Sequence, residues 1–167
     1  MKARLGSLIA GCLMVASQAS AETPKYFYSL GLGDGAIINN TGSESSAKEL
    51  NAAFGLTYTK FLGVELRAGF SSDDSGSLVT DSQLAYQALL VRLGYTWDRV
   101  GVYLMAGQAA LQADSELGLE DSGTATGIGI NLFGSPTTAL NLSHLNIDDG
   151  NFTTTNIGFQ YFFGGYR

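Results

Sequence analysis

The chain has 167 residues, a formal net charge of −6, 45% hydrophobic and 14% charged residues, and one cysteine. That length suits a single domain, and an acidic chain without basic clusters argues against nucleic acid as a partner. No run after the first 21 residues reaches the roughly 20 apolar residues of a membrane helix, which leaves strands of about 9–11 residues as the way such a chain crosses a bilayer.

Residues 1–21 read as a signal peptide. Lys2 and Arg4 form a charged start, 5–15 an apolar stretch too short to span a membrane, and Ala19-Ser20-Ala21 an A-x-A cleavage site. The mature chain is then one domain over 22–167, and losing Lys2 and Arg4 takes the formal charge from −6 to −8. Ile9-Ala10-Gly11-Cys12 resembles a lipoprotein box, but apolar sequence runs past Cys12 to the A-x-A site. Cleavage there leaves no cysteine, hence no disulfide and no thiol chemistry.

Beyond residue 22 the sequence alternates with period two through eight segments. Strand one is expected over 24–33, with Tyr26, Tyr28, Leu30 and Leu32 on one face and Phe27, Ser29, Gly31 and Gly33 on the other. A polar loop over 34–48 follows. Strands two and three form a hairpin over 50–70 that turns at 60–62. Leu50, Ala52, Phe54, Leu56 and Tyr58, then Val64, Leu66, Ala68 and Phe70, share a face; Asn51, Ala53, Gly55, Thr57, Thr59, Glu65, Arg67 and Gly69 oppose it.

After a loop over 71–82, strand four (83–95) sets Leu89, Val91, Leu93 and Tyr95 against Tyr86, Ala88, Leu90, Arg92 and Gly94. A turn at 96–99 leads into strand five. Pairing 93 with 102 and 91 with 104 puts Val102, Leu104 and Ala106 outward and Tyr103 inward beside Arg92. An acidic loop over 112–123 precedes strand six (124–132), a short turn at 133–137 and strand seven (138–145). A polar loop over 146–151 leads to strand eight (152–163).

The polar face of the 50–70 hairpin is mostly Gly, Ala, Thr and Asn, with Glu65 and Arg67 as its only charges. Small uncharged residues suit a crowded interior. An Arg67 facing lipid at mid-bilayer would cost roughly 2–4 kcal/mol. The aliphatic and aromatic face is therefore expected to meet lipid. The predicted fold is all-β: an eight-stranded antiparallel up-and-down transmembrane β-barrel. Its connections alternate as such a barrel requires, long and acidic on one side, short and flanked by Tyr58, Phe61, Tyr95, Trp97 and Phe133 on the other.

The chain resembles the small outer-membrane barrels of the OmpX and OmpA type over its whole mature length. The likeness rests on the eight alternating segments, the Gly-rich first strand YSLGLG and the aromatic last strand IGFQYFF. It implies location in the cell outer membrane, contact with lipid and lipopolysaccharide, insertion by the barrel-assembly machinery, and a monomer. Family members end on an aromatic residue; here Gly164-Gly165-Tyr166-Arg167 follow Phe163.

Four residues form the candidate site: Glu65, Arg67, Tyr86 and Arg92, a polar network inside the barrel. Glu65, Arg67 and Arg92 are the only charges placed there, Arg67 near Tyr86. Opposite charges in a narrow lumen must pair, and eight strands leave an interior just wide enough for side chains, so no open pore is predicted. His144, the only histidine, falls on the outward face of strand seven. Lipid A deacylase barrels carry a His, a Ser two residues on and a downstream Glu. Here Asn146 stands in the Ser position and no Glu follows Glu120, so the nucleophile and orienting acid are missing. A palmitoyltransferase-type role for His144 is the enzymatic alternative.

Asp73, Asp74, Asp114, Glu116, Asp148 and Asp149 are expected in solvated loops without EF-hand spacing. No cofactor is expected. The expected function is that of a non-enzymatic outer-membrane barrel acting in envelope integrity or in surface interaction with an unidentified ligand. The remaining alternative, a soluble periplasmic ligand-binding barrel, requires the opposite face polarity.

Overall fold

The structure, a computed structural model, describes residues 24–38, 44–59, 61–73, 84–112, 122–147 and 152–164. The expected signal peptide with Cys12, the acids Asp74, Asp114, Glu116, Asp148 and Asp149, and Tyr166 lie outside the described residues.

Eight strands follow one another: β1 (Lys25–Ile38), β2 (Glu44–Thr57), β3 (Leu62–Asp73), β4 (Leu84–Trp97), β5 (Val100–Gln112), β6 (Ser122–Ser135), β7 (Thr138–Ile147) and β8 (Phe152–Phe163). Each pairs antiparallel with the next, and β8 returns to β1, so the sheet closes. The register fixes the barrel's shape. Following Cα partners from Val102 through Ile130, Leu142, Ile157, Leu32, Leu50, Phe70 and Ala85 leads back to β5 at Gln112, ten residues further along. Eight strands with that stagger tilt about 40° from the barrel axis.

Alternation decides the faces. Tyr28, Leu30, Leu32, Phe54, Leu66, Phe70, Leu89, Leu104 and Phe159 stand exposed on the outside, while Phe27, Tyr86, Leu90, Tyr103 and Met105 are buried within. An unbroken belt of exposed large apolar side chains is untenable against water and is the outer wall a membrane barrel needs. Tyr26, Phe54, Phe163, Tyr28 and Tyr161 stack across β2, β1 and β8, and Phe61, Tyr95 and Trp97 cluster near the β2–β3 and β4–β5 turns, forming an aromatic girdle at one rim.

Three sequence expectations are corrected. The strands are longer than the apolar pattern: 34–38 and 44–48, read as loop, are paired strand, with Asp34 opposite Lys48. A backbone ladder needs no apolar side chains, so hydropathy misses its polar upper rungs. Likewise β6 starts at Ser122 and ends at Ser135, and β7 runs to Ile147.

The β4–β5 register is two residues off the expected one. Leu93 faces Leu104 and Tyr95 faces Val102, because the turn holds only Asp98 and Arg99 between paired Trp97 and Val100. An even slip preserves the faces, so Val102, Leu104 and Ala106 still point outward. The third correction is an additional acid inside the barrel, Glu49.

The short turns are held by side chains. Thr59 Oγ1 accepts hydrogen bonds from the amides of Phe61 and Leu62, both 3.1 Å, and Ser135 Oγ accepts from Thr137 (3.2 Å) and Thr138 (3.0 Å). Asp98 takes φ 44°, a left-handed conformation that Asp tolerates better than most residues.

Candidate functional site

The lumen is filled in layers. Next to the aromatic girdle, Phe27, Phe162 and Ala139 are buried with Phe133 packed against them. The Phe27 and Phe162 rings lie 5.7 Å apart. Above them the Arg92 guanidinium lies over the Tyr103 ring at 3.6 Å and the Phe27 ring at 4.6 Å, a cation–π arrangement whose value rises with desolvation. Asn141 Nδ2 donates to Tyr103 OH and to Asn131 Oδ1, both at 2.6 Å.

The middle layer holds the charges. Glu65 takes both arginines: Arg67 Nε donates to Oε1 at 2.7 Å and Arg92 Nη1 to Oε2 at 3.0 Å. Arg67 also reaches across the bore to Ser143 Oγ (3.0 Å) and Met105 Sδ (3.9 Å). Glu65, Arg67 and Arg92 are 1%, 2% and 6% exposed, so bulk water does not satisfy them and pairing must. Glu65 and Arg67 stand two apart on β3 and share its inward face by alternation; β4 supplies Arg92 from the neighbouring strand.

Higher up, Asn51 Nδ2 donates to Asn156 Oδ1 (2.5 Å), and Asn156 Nδ2 to Thr154 Oγ1 (3.0 Å). Tyr86 OH donates to Glu49 Oε1 at 2.9 Å. Tyr86 thus bonds to Glu49, and Arg67 lies opposite Ala88 in the ladder. Glu49, 2% exposed, corrects the expected charge set: Glu65, Arg67 and Arg92 are not the only charges inside. It sits one pleat beyond Asn51 on the inward face of β2. The alternation that places Asn51 inside would have found it had the strand been extended by one residue. With it, two acids and two arginines are buried in the lumen among the described residues.

An apolar cluster of Tyr86, Phe152, Leu111, Leu145, Ile147 and Ala109 closes the opposite end, with the Tyr86 and Phe152 rings 5.6 Å apart. A hollow of about 80 Å³ under Arg92, lined by Tyr103, Asn131, Phe133 and Phe162, has room for a few waters; Glu65 and Arg67 are not in its wall.

His144 stands on the outer wall, its Nδ1 2.9 Å from Thr155 Oγ1 on the adjacent strand. Asp73 closes β3.

The family described as outer membrane protein beta-barrel domain matches residues 5–163. Similar solved structures include Ail, the attachment invasion locus protein of Yersinia pestis, at 17% identity and TM-score 0.59, covering 86% of this chain and 100% of that one. Ail has also been solved in complex with the heparin analogue sucrose octasulfate. OprG from Pseudomonas aeruginosa matches at 14% identity and TM-score 0.61, covering 85% and 97%. Neisserial surface protein A matches at 14% and 0.59, covering 83% and 95%. At such identities the likeness is one of fold. No curated protein matches the chain. A closed eight-stranded sheet with an apolar exterior, matched over nearly its full length, is a protein of the cell outer membrane, and the chain belongs to the outer membrane protein β-barrel domain family.

Proposed function

We propose that this protein is a non-enzymatic, non-conducting barrel that acts in envelope integrity or in surface contacts made by its long acidic connections. The supporting observation is the stack of side chains across the bore, with the Glu65–Arg67–Arg92 network at its centre and apolar layers at both ends. In this reading Glu65, Arg67, Tyr86 and Arg92 are structural: they tie β3 and β4 to the far wall and leave no continuous water path. The barrel-assembly machinery inserts the chain, which works as a monomer in lipid and lipopolysaccharide. The sulfated ligand of Ail is a polyanion; a chain of net charge −6 favours a different class of surface partner.

Single-channel recording of the folded protein in planar bilayers tests the closed bore. No resolved conductance steps are expected; a steady open level would contradict the reading. The catalytic alternative is tested by His144→Ala. Lipid A mass spectra from cells carrying the variant are expected to match wild type, and loss of an acylated or deacylated species would restore an enzymatic role.

A further inference from the structure

The apolar belt on the outer wall is not of even height. Its upper edge follows one row of paired residues, Leu142, Ile157, Leu32, Leu50 and Phe70, on β7, β8, β1, β2 and β3. The next outward row above it is polar: His144, Thr155, Asp34 and Lys48. Rows run perpendicular to the strands, and the strands tilt, so each step of about 4.8 Å to the next strand climbs about 3 Å along the barrel axis. Four steps separate Leu142 from Phe70, which puts the edge about 12 Å lower on β7 than on β3. From β3 the edge descends again, past Gln87 on β4, Gln108 on β5 and Thr126 on β6, all exposed on the outer wall. Its lowest point is β7, opposite β3 in the ring of eight.

The lower edge stays near one level, marked by Tyr26, Phe61, Tyr95 and Phe163 at the girdle. The belt is therefore a wedge. It spans about 20 Å from Leu62 to Phe70 on β3, but about 10 Å from Thr138 to Leu142 on β7. Tilting a rigid barrel moves one side up and the other down without changing either thickness, so tilt alone cannot fit a wedge to a uniform bilayer.

We propose that the outward face of β6–β8 around His144, Thr155 and Thr126 is a seat for outer-leaflet lipid headgroups, which reach about 10 Å deeper there than on the β2–β3 wall, so that the barrel thins the bilayer on one side. The inference rests on the membrane-barrel reading and adds a place and a chemistry to its lipid contact. The residues are hydrogen-bonding groups, suited to sugar hydroxyls and phosphate oxygens. Their row runs on without a break into the Asp34–Lys48 ion pair (2.6 Å), where the wall leaves hydrocarbon on the β1–β2 side. A polar side chain left in hydrocarbon would forfeit its hydrogen bonds to water; His144 and Thr155, both exposed, meet headgroups instead.

Ala68 on β3 and Thr126 on β6 provide the test. Both face outward, and the register sets them at the same height within about 2 Å. In the protein folded into vesicles of outer-membrane lipid, with Cys12 absent, nitroxide labels are placed singly at Ala68→Cys and Thr126→Cys. Collision with oxygen reports hydrocarbon and collision with a water-soluble nickel chelate reports the headgroup zone. The expected result is several-fold oxygen preference at 68 and several-fold nickel preference at 126. Adding His144→Leu and Thr155→Val is expected to move the 126 label toward oxygen. Equal oxygen preference at both sites, no response to the double substitution, or dipolar coupling between 126 labels of two barrels overturns the proposal and leaves the membrane barrel standing. Nickel preference at 68 as well removes the membrane barrel and the proposal with it.

Discussion

Glu65 carries more of the lumen than any other residue, because one carboxylate neutralises two buried guanidiniums. Glu65→Ala leaves two buried guanidiniums without their shared carboxylate, and a loss of about 3–5 kcal/mol is expected. Urea unfolding of the barrel in lipid vesicles measures it; a loss under about 1 kcal/mol would mean that the two guanidiniums do not depend on Glu65. Two glycines are just as specific. The Tyr86 ring lies where a Cβ on Gly69 would stand, and the Tyr103 ring does the same to Gly129. Alanine at either is expected to cost about 1–3 kcal/mol by displacing the ring. Gly134→Ala, with nothing within 4 Å of the added carbon, is the control and stays within about 0.5 kcal/mol of wild type.

Among the elements, the two-residue turn between β4 and β5 sets a register two residues away from the one expected from the sequence. Asp98 at φ 44° is the strained point. A β-branched residue fits that conformation worse, so Asp98→Val is expected to lose about 1–3 kcal/mol while Asp98→Gly keeps wild-type stability; thermal or urea unfolding in detergent separates the two. The faces of the strands were legible throughout, since alternation survives an even slip and even an error in strand length. The ends were not. Asp34 and Lys48 look like loop by hydropathy, yet they pair in the ladder, and stopping short of Glu49 hid the second buried acid. Partners across the bore were also invisible. Period two says that Arg67 and Ser143 both point inward, but only the closure of the ring brings β3 opposite β7 and their side chains within 3.0 Å.

At the scale of the whole molecule, the apolar exterior and the polar, side-chain-filled interior invert the arrangement of a soluble barrel. That inversion makes a substitution on the outside more informative than one in a loop. Leu66 stands exposed midway up the β3 wall, and Leu66→Arg is expected to cost about 2–4 kcal/mol in lipid vesicles. The most direct measurement is gel mobility of the outer-membrane fraction before and after boiling in detergent. A closed barrel, its last strand paired to its first, is expected to stay folded in the unheated sample, migrate as a compact species and shift when boiled. A chain missing from that fraction, or running at the same position in both samples, would contradict the closed transmembrane barrel and every role built on it.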